Sequence, residues 1–132
     1  MDKRGIDVSS WQGVIDWDAV KSSGVEFAIL RSSFGSPSPS QVDNQFYNNV
    51  KGAQAAGIPI GAYHYGYAVT EEEARNEAGF FLDTVRTQNG EFHAAAFHCV
   101  PVDHPLPGTN VNSPFVHKNF SFRFWSVFCP FL

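Results

Sequence analysis

Hydrophobic and polar positions in the first two-thirds of the chain fall into repeating pairs of segments. Ile6-Asp7-Val8-Ser9 predicts a short strand, and Asp16-Trp17-Asp18-Ala19-Val20-Lys21 predicts a helix that Asp16 or Asp18 caps and Gly24 ends. Val25-Glu26-Phe27-Ala28-Ile29-Leu30-Arg31 is a nearly continuous apolar run, the pattern of a strand covered on both faces in a parallel sheet. A turn-rich loop covers residues 32–40. Asp43 then stands where it can cap a helix whose Phe46, Val50 and Ala53 recur on one face, with Gly57 closing it. Ile58-Pro59-Ile60-Gly61-Ala62-Tyr63-His64-Tyr65 predicts a third strand, Pro59 being tolerable near its start. Thr70 with Glu73 forms a capping box, and Ala74, Ala78, Phe81, Leu82 and Val85 line one face of a helix to about Arg86.

Three strand–helix units in succession imply parallel strands joined by right-handed crossovers, hence an α/β layered or barrel architecture. The pattern covers residues 1–91. From Phe92 onward the texture changes: residues 92–132 hold eight of the 13 Phe, four of the five His, five of the eight Pro and both Cys, with only Asp103, Lys118 and Arg123 charged. No 3.6-residue apolar period follows there, although Phe120, Phe122 and Phe124 alternate as a strand would. The expectation is an incomplete α/β region followed by a C-terminal segment of unassigned character, either an irregular subdomain or the product of an altered frame, splice or gene end near residue 91.

Composition narrows the function. The 132 residues carry a net charge of −4 and are 43% hydrophobic, as in one soluble globular domain. Nine Lys and Arg, scattered from Lys3 to Arg123, make no basic stripe, so nucleic acid is not an expected partner. The opening residues lack the apolar segment of about 7–15 residues that a secretory signal needs, and no stretch reaches the roughly 20 apolar residues of a membrane span. Cys99 and Cys129 have neither zinc nor redox spacing, so no metal or cofactor is expected, and they fit a disulfide or two free thiols equally.

In parallel α/β folds the loops after the carboxyl ends of strands form the ligand crevice. Those ends offer Asp7, Ser9, Ser10, Trp11 and Gln12; then Arg31, Ser32 and Ser33; then Tyr63, His64, Tyr65 and Tyr67. Asp7, between Ile6 and Val8 inside a strand, is costly to bury unless a specific partner satisfies it, which makes it the first catalytic candidate; its bland alternative is a pairing with backbone or with Arg31. Trp11, Tyr63, Tyr65 and Tyr67 present flat apolar faces and polar tips suited to sugar rings. His64 is open to reading as a proton carrier or a metal ligand, although a lone histidine beside tyrosines is more often a hydrogen-bonded wall residue. Glu71-Glu72-Glu73 fits the positive end of a helix dipole and is read as a solvated first turn.

Two strings, GIDVSSWQGVIDWDAVKSSGVEFAILRSSFG over residues 5–35 and DNQFYNNVKGAQAAGIPIGAYHYGYAVTEEEARNEAGFFL over residues 43–82, resemble the family 25 glycoside hydrolases, the lysozymes that cleave peptidoglycan. The resemblance implies a barrel of β-strands and α-helices related to the TIM fold. It also implies action on the β-1,4 bond between N-acetylmuramic acid and N-acetylglucosamine. Asp7 matches the family's acidic residue at the end of the first strand. Tyr63 and His64 match residues of the third strand that line the sugar site, and Arg31 matches a structural residue of the second strand. The family's Asp-x-Glu after the fourth strand has no counterpart: Val100-Pro101-Val102-Asp103-His104-Pro105 supplies an Asp with Pro105 where the Glu should stand, and Glu91 precedes any plausible fourth strand.

Glycoside hydrolysis needs one carboxylic acid to protonate the leaving oxygen and a second group at the oxocarbenium-like centre. General acid catalysis supplies on the order of 10² to 10⁴ in rate, so a chain without the Glu is expected to be weak or inactive. The alternatives are a non-catalytic module that binds peptidoglycan and a non-functional fragment. A complete barrel typically takes about 250 residues, and an open parallel sheet leaves edges that invite self-association.

Overall fold

The computed structural model describes residues 3–88, 92–99 and 126–128. Strand β1 (Gly5–Val8) leads through a 3₁₀ turn (Ser10–Gln12) to helix α1 (Trp17–Ser22), and β2 (Phe27–Phe34) leads through a second 3₁₀ turn (Pro39–Gln41) to α2 (Phe46–Ala55). Strand β3 (Ile60–Gly66) then precedes α3 (Glu71–Arg86), and β4 (Phe92–Cys99) and β5 (Ser126–Phe128) complete the described sheet. The five strands lie in the order β1-β2-β3-β4-β5 and every pair is parallel. The three expected strand–helix units are present, in the sequential parallel arrangement of a (β/α) barrel segment.

Local signals account for most boundaries. Asp16 caps α1, its carboxylate accepting from the Ala19 N–H at 3.0 Å. Thr70 and Glu73 close the capping box of α3, with Thr70 Oγ1 accepting from Glu73 N and Glu73 Oε2 accepting from Thr70 N, both at 3.2 Å. Gly24 and Gly57, at φ +85° and +66°, take the left-handed turn after α1 and α2.

Three expectations change. Strand β2 continues through Ser32, Ser33 and Phe34, which the sequence assigned to a loop. Both hydroxyls are sealed and satisfied, Ser32 Oγ donating to the Tyr63 carbonyl at 3.0 Å and Ser33 Oγ lying 2.8 Å from His64 Nδ1, so neither serine needs water. Asp43 does not cap α2. Gln45 holds that position without a side-chain bond, and the Asp43 carboxylate turns to Arg31 instead. Finally, a fourth strand follows α3, paired in parallel with β3 over residues 92–99. Its Phe-His-Ala-Ala-Ala-Phe-His-Cys run has neither alternation nor β-branched residues, so the period gave no sign of it.

The core lies between one face of the sheet and the helices. Val8, Ala28, Leu30, Ile60 and Ala62 point to that side and meet Trp17 of α1, Phe46, Val50 and Ala53 of α2, and Ala74 and Phe81 of α3. Trp17 packs so closely on Gly52 that a side chain there would overlap the indole. Phe92 extends this core, its ring 6.2 Å from that of Phe46. Among the described residues no helix is long and apolar enough to cross a membrane. Cys129, Asp103 and Glu91, and the alternating Phe120, Phe122 and Phe124, lie outside the described residues.

Candidate active site

Strand register decides which side chains share a surface. Asp7 pairs with Ile29, which pairs with Gly61, and two residues further along Arg31 pairs with Tyr63. Because side chains alternate along a strand, Asp7, Arg31, Tyr63 and Tyr65 all emerge on the face away from the helices, at the carboxyl ends of β1, β2 and β3. His64 points the other way.

Asp7 and Tyr63 interact on this face. Burial pushes the Tyr63 phenol above its ordinary range. The Asp7 carboxylate adds to this both as a nearby negative charge and as the acceptor of the phenol's hydrogen bond, with Asp43 contributing less and Arg31 pulling the other way. The phenol therefore remains a donor, aimed at a carboxylate inside a partly covered surface. Such a pair orients an anion and can stabilise positive charge developing beside it.

Arg31 and Asp43 hold the loop after β1. Asp43, 1% exposed, accepts at Oδ2 from Arg31 Nε at 2.8 Å and from the Ser10 N–H at 2.9 Å, and at Oδ1 from the Gln45 N–H at 2.9 Å, with Arg31 Nη2 in ion-pair contact with Oδ2 at 2.7 Å. Arg31 Nη2 also donates to Ser10 Oγ at 3.0 Å, and its guanidinium lies 5.0 Å from the Phe34 ring centre. Inside the loop, Gln12 Oε1 accepts from the Ser9 N–H at 2.7 Å, and Ser9 Oγ accepts from the Trp11 N–H at 3.3 Å. A loop tied at so many points presents Trp11 almost wholly to solvent, at 85% exposure.

Two more aromatic rings stand at the end of β3 and just beyond it. Tyr65 and Tyr67 meet edge to face, 5.4 Å apart at 79°, and both reach solvent. Tyr67 leans over Gly35, where φ is +61° and an added Cβ would lie 2.7 Å from the ring. His64 does not join them. It is fully buried between β2 and α3, with Nδ1 beside Ser33 Oγ and Nε2 3.3 Å from Glu77 Oε2, and its ring centre lies 6.2 Å from that of Phe81. Burial lowers its pKa to about 4, so it is neutral at neutral pH. The structure thus places His64 as a hydrogen-bonded wall residue without a surface for sugar. Among the described residues no group of three His, Cys, Asp or Glu could hold a metal ion.

The sequence profile of glycosyl hydrolases family 25 matches residues 6–101, a span that takes in β1 from Ile6 onward and all of β2 to β4. The chain belongs to glycosyl hydrolases family 25. It is 39% identical over 87 residues to lysozyme M1 of Streptomyces globisporus, a match covering 61% of this chain and 29% of that protein. It is 37% identical over 82 residues to the autolytic lysozyme of Clostridium acetobutylicum, covering 62% of this chain and 24% of that one. Among solved structures it resembles the modular autolysin LytC of Streptococcus pneumoniae, with TM-score 0.64 and 27% identity over 73% of this chain and 22% of that chain; LytC has also been solved with a synthetic peptidoglycan ligand. The family 25 chain therefore spans less than a third of the length of these lysozymes.

Two residues of the site went unread in the sequence. Asp43 passed for a helix cap because Asp before a helical period is the usual cap signal. Glu77 interrupts the buried line Ala74, Phe81 and Thr84 of α3 and was not singled out in the sequence; it is 3% exposed. A charged residue in phase with an apolar stripe is the signal that would have found it.

Proposed function

We propose that this family 25 chain carries the substrate-holding and charge-stabilising part of a peptidoglycan-cleaving site. In this reading it binds the β-1,4-linked N-acetylmuramic acid and N-acetylglucosamine polymer with little or no turnover. The observation that carries the reading is the Asp7–Tyr63 pair at the carboxyl end of the sheet, flanked by the exposed rings of Trp11, Tyr65 and Tyr67. Asp7 is the catalytic group, its carboxylate stabilising the oxocarbenium-like centre. Trp11, Tyr63 and Tyr65 contact sugar, and His64 is assigned to the wall because it is sealed.

The proton donor is the missing half. Among the described residues, Asp43 is engaged by Arg31, Ser10 and Gln45, and Glu77 lies on the helix side of the sheet. Neither is offered to a leaving oxygen. The boundary near residue 91, with a differently composed segment after it, belongs to this reading, as does self-association through the open edge of β1.

Sedimentation of the full chain with insoluble peptidoglycan tests the proposal. The chain should be retained, and Trp11→Ala should release it while leaving the circular dichroism spectrum unchanged. A wild-type chain that stays in the supernatant would refute it.

A further inference from the structure

The loop between β3 and α3 is held in an unusual way. Glu73 and Glu77, one turn apart on α3, reach back and take four successive backbone N–H groups. Glu73 Oε2 accepts from Val69 at 2.8 Å and from Thr70 at 3.2 Å. Glu77 Oε2 accepts from Tyr67 at 3.1 Å, and Ala68 donates to the same carboxylate. The Glu73 half is an ordinary capping box at an exposed helix start. The Glu77 half is not. Its carboxylate is buried behind the sheet, where an unpaired charge would be costly, and it sits against His64 at 3.3 Å. Above it the anchored backbone carries Tyr67, whose ring meets Tyr65 and fills the space over Gly35.

We infer that Glu77 is a positioning residue: from the helix side of the sheet its carboxylate fixes the backbone at Tyr67 and Ala68, and so sets the Tyr65–Tyr67 pair at the mouth of the site. His64 is the second part of the device, bridging Glu77 to Ser33 at the β2 bulge and tying the loop to the sheet rather than to its helix alone. The ionisable groups set against Glu77 among the described residues are His64 from β3 and Glu73 from its own helix. Burial, with Glu73 adding, raises the Glu77 pKa, and the two amide donors hold it down. Protonation weakens the carboxylate as an acceptor, so the anchor loosens as pH falls through that titration. The sugar-facing role of the pair rests on the function proposed above; the anchoring does not.

Amide hydrogen exchange on the full chain tests this, comparing wild type with Glu77→Ala and Glu77→Gln. In Glu77→Ala the amides of Tyr67 and Ala68 should exchange about ten-fold faster or more, while Val69 and Thr70, held by Glu73, and the amides of β2 keep their rates. After correction for intrinsic exchange chemistry, wild-type protection of those two amides should fall with pH, whereas Glu77→Gln, in which only His64 still titrates, should give a clearly shallower profile. Equal rates in Glu77→Ala and wild type would overturn the inference, as would a Glu77→Gln profile that follows the wild-type course. If Glu77→Ala does not fold, the Glu77→Gln profile decides by itself. Peptidoglycan retention by the same variants reports on the proposed function and not on the anchor.

Discussion

Removing the Asp43 carboxylate should destabilise the protein far more than removing a surface acid. Asp43 accepts three hydrogen bonds, from Arg31 Nε and from the Ser10 and Gln45 backbones, and makes an ion-pair contact with Arg31 Nη2, in a place where it is 1% exposed. Asp43→Ala leaves a guanidinium that is only 15% exposed without its counter-charge, and strips two partly buried N–H groups of their acceptor. Breaking a buried pair from one side costs about 3–5 kcal/mol, a large part of the roughly 5–15 kcal/mol that stabilises a domain. Asp43→Asn, whose amide oxygen can still face Arg31 and Ser10, should lose less, about 2–3 kcal/mol. The assay is urea unfolding followed by far-ultraviolet circular dichroism, where a slope of about 1–2 kcal/mol/M turns the alanine loss into a midpoint shift of about 2 M or more. Arg31→Ala combined with Asp43→Ala should cost clearly less than the sum of the two single changes, because the stranded charge is gone. A loss below about 1 kcal/mol for Asp43→Ala, the size of an exposed ion pair, would refute the reasoning.

Two further outcomes follow from the electrostatics. His64 is neutral in the fold with a pKa of about 4 against an ordinary 6.5, so its contribution to stability is complete above about pH 6.5 and is lost as pH falls from there towards about 4. Between about pH 7 and about pH 4.5 wild type should lose roughly 2–3 kcal/mol through this group, offset in part by Glu77, whose raised pKa works in the opposite sense, and His64→Gln should flatten the slope; identical slopes in urea midpoint would contradict the burial of the imidazole. Asp7→Asn should bring the Tyr63 titration down towards the ordinary phenol range without reaching it, since burial persists when the charge and its hydrogen bond are gone; an unchanged ultraviolet titration would mean that the two side chains do not meet.

The α/β pattern was readable because each strand–helix unit writes its own period. Caps at Asp16 and Thr70 and glycines at Gly24 and Gly57 mark the boundaries. What escaped was tertiary. Ser32 and Ser33 look like loop residues until His64 and the Tyr63 carbonyl supply their partners from the next strand. Strand β4 is hidden in a run of alanines whose strand character depends on pairing with β3. The site divides in the same way. Asp7 was visible as a carboxylate in an apolar strand, and Gly61-Ala62-Tyr63-His64-Tyr65 as a polar strand end. Alternation within that pentapeptide already sends His64 away from Tyr63 and Tyr65, so its wall position could have been deduced. Asp43 and Glu77 could not be paired with Arg31 and His64 without the fold, since the partners are 12 and 13 residues apart on different elements.

The proposed function is a site that holds glycan and that, among the described residues, offers no proton donor opposite Asp7. Release of reducing ends from purified peptidoglycan by the full chain measures this directly, with wild type and Asp7→Asn compared at equal concentration against an intact family 25 lysozyme. The account predicts release near background for both, so that the substitution changes almost nothing. Release comparable to the intact enzyme, abolished by Asp7→Asn, would contradict it.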